Sequence, residues 1–302
     1  MGTPEVSIVL STYNRLPLLH RAVDSVIAQT FRDWELIVVD DGSTDATCGY
    51  LEAIEDARVR PVWIPHQGNL TSARSAGLRH TRGAWVAFLD SDDLWLPEKL
   101  ALQLQRLAAH PTCRWSYTGY LLVDADENPL PERSAVLGPP VSGYILEPLL
   151  RFEVAVAVQA MLVQRSLVDE IGGFDETFPI RSDYDFALRL AARSEVCALP
   201  ESLTWVREHA GRTTSHLRHA ELYACQERIF RKAAAAATDA RIRALCLRQC
   251  ATQLARQANA LSREGSHRAA FATLARAARL APLHKSPWRA AARCAARVVG
   301  WK

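Results

Sequence analysis

The sequence has 302 residues, of which 49% are hydrophobic and 23% are charged, with a net charge of +3. This balance suits one large domain, or a domain with an appendage, and excludes a disordered or collagen-like chain. No run of 18 residues is apolar and free of charge, and the N-terminus lacks the basic region of a signal peptide. We therefore expect a cytoplasmic protein without a membrane-spanning helix, whose seven scattered cysteines are reduced.

The first 110 residues alternate between strand and helix patterns. Runs rich in Val and Ile predict strands at 6–12, 34–40, 59–64 and 84–90. Helical spacing, caps and a helix-opening proline predict helices at 18–27, 45–56, 70–80 and 97–109. We expect Ser43 or Thr44 to cap the second helix. This order is typical of a parallel, doubly wound sheet.

Polar side chains follow three of these strands. The first strand ends in residues 11–14 (STYN), the second in 40–43 (DDGS) and the fourth in 90–93 (DSDD). Ligands of such sheets bind beyond the carboxyl ends of the strands, so we expect the three groups to converge on one edge. The GxGxxG and GxxxxGK[ST] loops are absent, which disfavours a dinucleotide or P-loop site.

The rhythm changes after residue 112. Strands are predicted at 113–124 and 155–164, with two short strands within 196–209. Short helices are predicted at 166–171 and 182–193, and residues 127–143 read as a loop. From residue 216 onward the pattern is helical and rich in Ala and Arg.

Charge is distributed unevenly along the chain. Residues 216–302 contain 17 Lys or Arg and 4 Asp or Glu, a balance of +13, whereas residues 1–215 have a balance of −10. The split predicts two bodies, 1–215 and 216–302, with different partners. Cys246 and Cys250 share a helix face, which is either apolar or half of a metal site.

The basic region 216–302 has two interpretations. Its helices either pack and leave their arginines in water, or the stretch 286–302 lies on an anionic membrane. The residues that favour the membrane are Trp288, Arg289, Arg293, Arg297, Trp301 and Lys302. We do not expect a nucleic-acid partner, because no reading motif accompanies the basic charge.

Five motifs, in this order and spacing, resemble the family 2 glycosyltransferases of the GT-A fold: VSIVLSTYNR, VVDDGSTD, AWVAFLDSDD, GGFDE and SDYDFALRL. The resemblance covers residues 5–212. It implies a GT-A α/β fold, a Rossmann-like, mostly parallel mixed sheet flanked by helices, followed here by a C-terminal helical extension. It also implies a nucleotide-binding half at 1–112 and an acceptor half at 113–215.

The resemblance further implies an activity. Such enzymes move a sugar, with inversion, from a nucleotide-sugar (by default a UDP-sugar) to an acceptor hydroxyl. The acceptor would be a glycan or glycolipid of cell-envelope or extracellular polysaccharide synthesis, and Mn²⁺ or Mg²⁺ would bind the diphosphate. These partners place the chain in the cytoplasm, at the inner face of the membrane if its C-terminal region binds lipid.

By the same resemblance, Asp90 and Asp92 form the DxD motif, with Asp92 as a direct metal ligand and Asp90 at the ribose or the metal. His209 falls where relatives carry a histidine beside the diphosphate or metal. Asp183 is the implied base that takes the proton of the acceptor hydroxyl, although its neighbour is Ser182 where the family usually has Glu. The implied nucleotide-sugar-binding residues are Ser11, Tyr13, Asn14, Asp40, Asp41, Arg74 and Asp90.

Within that set, Tyr13 would stack on the base and Asp41 would accept its N–H group. Structural alternatives stay open for several residues: a turn for Asp40, a solvated charge for Arg74, a helix cap for Asp183 and packing for Phe174. We expect Asp93, Asp45 and Asp185 to serve helices, His66 to be loop surface, and Arg207 and Arg212 to contact phosphate. The other functional hypotheses are a non-catalytic nucleotide-sugar sensor and a nucleotidyltransferase, and the latter lacks its Gly-rich loop.

Overall fold

The computed structural model describes residues 2–131, 139–209 and 218–298. The chain divides into two compact units after His209. The first unit is built around a β-sheet, and the described residues of the second unit are mainly helical.

Four parallel strands form one half of the sheet, in the order β3-β2-β1-β4. They are β1 (Val6–Thr12), β2 (Trp34–Asp40), β3 (Val59–Trp63) and β4 (Trp85–Asp90). The helices of this half are α1 (Leu16–Ile27), α2 (Thr47–Glu52), α3 (Leu70–His80) and α4 (Lys99–Ala108). Every residue of β1 and β2 is buried, which explains their unbroken apolar pattern.

The other half of the sheet is mixed and continues the order as β4-β7-β6-β8-β5. Its strands are β5 (Leu94–Trp95), β6 (Trp115–Val123), β7 (Met161–Gln164) and β8 (Val196–Arg207). Strand β7 runs antiparallel to both neighbours, whereas β8 runs parallel to β6. The remaining helices of this unit are α5 (Leu146–Leu150), α6 (Arg165–Glu170) and α7 (Ser182–Ala191).

Three sequence predictions of secondary structure were wrong in detail. Within 155–164 only the last four residues form a strand, after a 3₁₀ turn at Val158–Ala160. The two strands expected in 196–209 are one strand, β8, because it pairs along β6 and a register shift near Gly119 absorbs the irregularity.

Helix α2 is also shorter than predicted, and neither Ser43 nor Thr44 caps it. The Ser43 side chain donates to Asp40, and the backbone N–H of Thr44 donates to Asn14. Asp45 does serve the first turn, as expected, by accepting from the backbone N–H of Thr47 at 3.0 Å. The side chains expected to cap the helix therefore hold the loop before it.

Helix α3 lies unusually close to the sheet. A Cβ atom added to Gly77 would lie 2.4 Å from Val9 Cγ1 and 3.0 Å from Val39 Cγ2. A side chain at this position would push the helix outward. The close approach matters for function because Arg74 lies one turn before Gly77 on the same helix.

The second unit contains helices α8 (His219–Ala236), α9 (Ala240–Arg263), α10 (His267–Leu280) and α11 (Lys285–Val298). Cys246 and Cys250 are fully buried in α9, and burial raises the pKa of these thiols to about 11 and about 12. Within the described ranges, no third metal-binding side chain forms a cluster with these two cysteines. Among the described residues, no helix is both long and apolar enough to span a bilayer.

Candidate functional site

The polar groups after β1, β2 and β4 meet at one edge of the sheet, as predicted. The parallel register pairs Thr12 with Asp40 and Ser11 with Asp90. Side chains then connect the loops: Asn14 Oδ1 accepts the Thr44 N–H at 2.7 Å. The edge is therefore one continuous polar surface built from three chain segments.

An acidic cluster forms the centre of this edge. Carboxylate oxygens of Asp90, Asp92 and Asp93 all lie within 4.8 Å of one another. Asp93 is buried, and it accepts the Arg207 backbone N–H at 2.9 Å and the Gln159 Nε2–H at 2.5 Å. The prediction that Asp93 serves the following helix was therefore wrong, because Asp93 fastens β8 to the end of β4.

Three basic side chains face the other two carboxylates. Arg74 Nη2 lies 2.5 Å from Asp90 Oδ1, and Arg15 Nη1 lies 2.6 Å from Asp92 Oδ2. His209 Nε2 is 2.9 Å from the same Asp92 oxygen. Arg74 is buried rather than solvated, so the alternative of a surface charge was wrong.

Arg15 was missed by the sequence analysis. It directly follows the STYN stretch, but its partner Asp92 lies 77 residues later, and no spacing rule connects them. The available signal was a basic residue three positions beyond the end of a strand whose end was already predicted to face acids.

The cluster has an unusual electrostatic environment. Burial raises the pKa of Asp90; Arg74 opposes this shift, and the carboxylates of Asp92 and Asp183 add to it. Burial disfavours the charged form of Arg74, yet Asp90, Asp183 and Asp92 together raise its pKa. The carboxylates of Asp90, Asp92 and Asp183 therefore interact electrostatically. Positive charge nearby, such as that of Arg74, stabilises their ionised forms.

A divalent cation fits this donor set. Asp90 and Asp92 offer carboxylate oxygens, the ligands that Mg²⁺ and Mn²⁺ prefer, with the imidazole of His209 beside them. In the described structure, Arg15 and Arg74 pair with these carboxylates. Asp93 is less available as a ligand than Asp90 and Asp92, because it is buried and both its oxygens accept hydrogen bonds from the protein.

Asp183 enters the same site from the first turn of α7. The Thr71 hydroxyl lies 2.8 Å from the Ser182 hydroxyl, which holds the start of α7 beside the start of α3. Asp183 Oδ1 accepts the backbone N–H of Tyr184 at 2.9 Å, so the residue also stabilises its turn. Ser182, which stands where the family usually has Glu, is buried in this contact with Thr71.

Two neighbours of Asp183 are structural. Asp185 is buried and accepts from Arg189 Nε at 2.8 Å, as expected of a helix residue. Phe174 is also buried, and the centroid of its ring lies 4.4 Å from that of Phe186. Its side chain therefore packs in the core, which was the structural alternative for this residue. Asp185 therefore serves its own helix, and Phe174 serves the core.

Tyr13 and Asp41 lie at the other end of the edge. Tyr13 is 39% exposed and stacks on His66, with ring centroids 4.0 Å apart. Asp41 accepts the backbone N–H of Gln67 at 2.8 Å, and His66 Nδ1 lies 3.0 Å from its other oxygen. His66 is exposed in a loop, as predicted, and it also contacts Tyr13 and Asp41.

The remaining predicted contacts shape the loops. Asp40 Oδ1 accepts the Ser43 N–H at 3.1 Å, which is the turn alternative, and Asn14 bridges two loops. Ser11 is buried, and its hydroxyl has no hydrogen-bond partner within the described part of the chain. Of these three residues, Ser11 retains unused hydrogen-bonding capacity.

Arg207 does not face a phosphate site, so that prediction was wrong. The side chain is 2% exposed, and its guanidinium donates to the Asp92 carbonyl at 3.1 Å, to the Ala125 carbonyl at 2.8 Å and to Glu127 Oε1 at 2.6 Å. Arg207 supports the backbone beneath Asp92. Arg212, the other predicted phosphate contact, lies outside the described residues.

Replacing Arg207 with Met should lower the free energy of unfolding by about 3 kcal/mol, because it leaves Glu127 and two carbonyls without their buried donor. The matched control is Arg21→Met. Arg21 is the other partner of Glu127, and its side chain is 55% exposed. That change should cost less than about 1 kcal/mol. Urea unfolding measures both variants, and equal losses would contradict the support role of Arg207.

Comparison with known proteins identifies the family of this chain. The model of glycosyl transferase family 2 matches residues 7–159. The putative teichuronic acid biosynthesis glycosyltransferase TuaG of Bacillus subtilis is 39% identical over 129 residues, which cover 42% of this chain and 51% of TuaG. The Escherichia coli protein WfaP, a UDP-Glc:alpha-D-GlcNAc-diphosphoundecaprenol beta-1,3-glucosyltransferase, is 28% identical over 214 residues, 70% of this chain and 80% of WfaP.

Solved structures share the fold. S. aureus TarS in complex with UDP-GlcNAc matches with a TM-score of 0.69 at 17% identity, covering 90% of this chain and 83% of that one. The mannosyltransferase PcManGT of Pyrobaculum calidifontis, in complex with GDP-Man and Mn²⁺, matches with a TM-score of 0.63 at 22% identity, covering 99% and 80%. These matches confirm the predicted GT-A fold. This chain spans about half the length of TuaG, yet the family model covers half of the chain itself. The chain therefore belongs to glycosyl transferase family 2.

Proposed function

We propose that the chain is an inverting glycosyltransferase, which moves a sugar from a nucleotide-sugar to an acceptor hydroxyl. The observation that carries the proposal is the acidic pair Asp90 and Asp92, faced by basic groups and placed in the same electrostatic field as Asp183. This arrangement offers positive charge for a diphosphate leaving group and a separate carboxylate for a proton. A sensor would need only the first of these.

The nucleotide would bind at the Tyr13 end of the edge. Tyr13 is 39% exposed and would stack on a base through the face opposite His66. Asp41 would accept a base N–H beside its contacts with Gln67 and His66. The Ser11 hydroxyl would add a polar contact. We propose a UDP-sugar as the donor, because TarS is described with UDP-GlcNAc and WfaP is named for UDP-Glc.

The diphosphate would lie over the acidic pair. Asp92, Asp90 and His209 would hold Mn²⁺ or Mg²⁺, which when bound neutralises charge on the departing diphosphate. Arg15 and Arg74 are next to these carboxylates and would place guanidinium groups against phosphate oxygens. We infer that Arg15 would turn from Asp92 toward the donor, since its side chain is part-exposed.

Asp183 would act as the base. Its carboxylate accepts the proton of the acceptor hydroxyl while the hydroxyl oxygen forms a bond to the anomeric carbon. The bond from that carbon to the diphosphate oxygen breaks with its electron pair, and the nucleoside diphosphate leaves. Attack opposite the leaving group gives inversion, as in inverting hydrolysis, with the acceptor in place of water.

We propose that the acceptor is a glycan or glycolipid hydroxyl in cell-envelope or extracellular polysaccharide synthesis. TuaG is named for teichuronic acid biosynthesis, and WfaP for an undecaprenol-linked sugar. The Rhizobium meliloti protein ExoO, 40% identical over 106 residues, is named for succinoglycan biosynthesis. Lipid-linked acceptors of this kind would place the chain at the inner face of the membrane.

A donor panel tests the proposal. The purified chain is incubated with UDP-, GDP- and dTDP-sugars, in Mn²⁺ or after EDTA treatment, and free nucleoside diphosphate is quantified. We expect release from one donor class, lost with EDTA and restored by Mn²⁺. A nucleotide-sugar that binds but is never turned over, even with cell-extract acceptors, would favour the sensor and remove the role of Asp183 as a base.

A further inference from the structure

Two exposed apolar side chains, Leu283 in the turn between α10 and α11 and Trp288 in the first turn of α11, form what we call the Leu–Trp corner. Leu283 is 97% exposed and Trp288 is 59% exposed. The indole N–H of Trp288 donates to the Pro282 carbonyl at 2.8 Å, which places the ring beside the backbone of Leu283. Since the polar group of the indole is bonded within the protein, the exposed part of the corner is purely apolar.

Basic residues flank this corner in the sequence. No Asp or Glu occurs from Gly265 to Val298, whereas that stretch holds seven Lys or Arg residues. Three of them, Arg279, Lys285 and Arg289, lie within four residues of a corner side chain, and all three are exposed. Exposed apolar side chains flanked by basic residues are typical of proteins that bind the surface of anionic membranes.

Helix α11, which carries Trp288, packs against α9 and α10. Ala290 and Cys294 of α11 are fully buried in one apolar cluster with Ala258 of α9 and Ala270 of α10. The opposite face of α11 carries Arg289 and Arg293, which are exposed. The helix is thus held by one face, and the corner projects from a packed unit rather than from a loose tail.

We propose that the Leu–Trp corner docks the chain on the surface of an anionic lipid bilayer. Leu283 and the Trp288 ring would enter the interfacial layer, where amphipathic aromatic side chains are favoured, and Arg279, Lys285 and Arg289 would bind headgroup phosphates. The contact is peripheral, since no described helix could cross the bilayer. A nucleic acid would use the same charges but would leave Leu283 in water, so the apolar tip favours lipid. Trp301 and Lys302, which the sequence analysis also assigned to a membrane contact, lie outside the described residues.

Co-sedimentation of the full chain with vesicles tests the proposal. We expect binding to phosphatidylcholine vesicles that contain phosphatidylglycerol, weakened by salt, and no binding to phosphatidylcholine alone. The double variant Leu283→Ser with Trp288→Ser should bind at least ~10-fold more weakly. The double variant Lys285→Gln with Arg289→Gln should also lose ~10-fold or more, since each basic residue near the surface contributes roughly fivefold.

The matched control is Phe271→Ser, which removes another exposed aromatic ring of the same unit. Phe271 lies about 13 Å from the corner end of α10 at 1.5 Å per residue, so vesicle binding should be unchanged. Equal binding to both vesicle types, no binding at all, or unaltered binding by the corner variants would overturn the proposal. Binding of single-stranded DNA without binding of vesicles would overturn it in favour of a nucleic-acid partner. Donor turnover with soluble substrate should be normal in the corner variants, so failure of docking and failure of the transferase are distinguishable.

Discussion

Asp92→Asn should lower metal-dependent donor turnover by about 10²–10³-fold, because it removes a charged ligand of the cation that would stabilise the departing diphosphate. The fold should survive, since an amide oxygen can still accept from Arg15 and His209. Mn²⁺ titration followed by electron paramagnetic resonance, without donor, provides a readout that is independent of activity. We expect the variant to bind Mn²⁺ much more weakly than the native chain.

Asp93→Asn is the matched control for that experiment. Asp93 belongs to the same cluster but is bonded to the Arg207 backbone and to Gln159. Its substitution should lower the stability while leaving Mn²⁺ affinity close to native. If Asp92→Asn bound Mn²⁺ as the native chain does, or if Asp93→Asn lost the ion instead, the assignment of the ligand would be wrong.

Asp183→Asn should reduce sugar transfer by about 10²–10⁴-fold while leaving donor binding intact, because a general base typically contributes that factor. The amide oxygen of Asn can still accept the Tyr184 N–H, so the turn is preserved. Single-turnover transfer measures the chemical step, and calorimetry measures the affinity for the intact donor. The expected result is a lower rate at unchanged donor affinity.

Asp185→Asn provides the comparison within the same helical turn. Asp185 is buried and paired with Arg189, so this change should cost stability and leave the rate per folded molecule near native. Equal rate losses in the two variants would indicate that both act through the position of α7. Asp183 would then be a helix cap rather than a base.

The parallel half of the fold could be predicted closely because its signal is local. Strands β1 and β2 are buried on both faces, so the apolar runs end where the strands end, at Thr12 and Asp40. Loops after such strands must meet at one edge, and that rule located Asp90 and Asp92 beside Ser11.

The parts that could not be predicted depend on contacts between distant segments. Arg15 and Asp92 are 77 residues apart, and Asp93 and Arg207 are 114 residues apart. His66 was correctly expected in an exposed loop, but its contacts with Tyr13 and with Asp41, 25 residues away, were not predicted. Local patterns carry no information on such pairings.

Strand β4 lies between a strand inside the segment that the family model matches and a strand outside it. Strand β4 pairs with β1 on one side and with β7 on the other, where Val86 opposes Val163 and Ala87 opposes Leu162. The family model ends at residue 159, before β7 begins. A polypeptide cut there would retain the acidic pair and the nucleotide edge but would present a bare, apolar strand edge, the kind that recruits other chains into aggregates. The segment that the family model matches is therefore shorter than the segment needed to complete the sheet around β4.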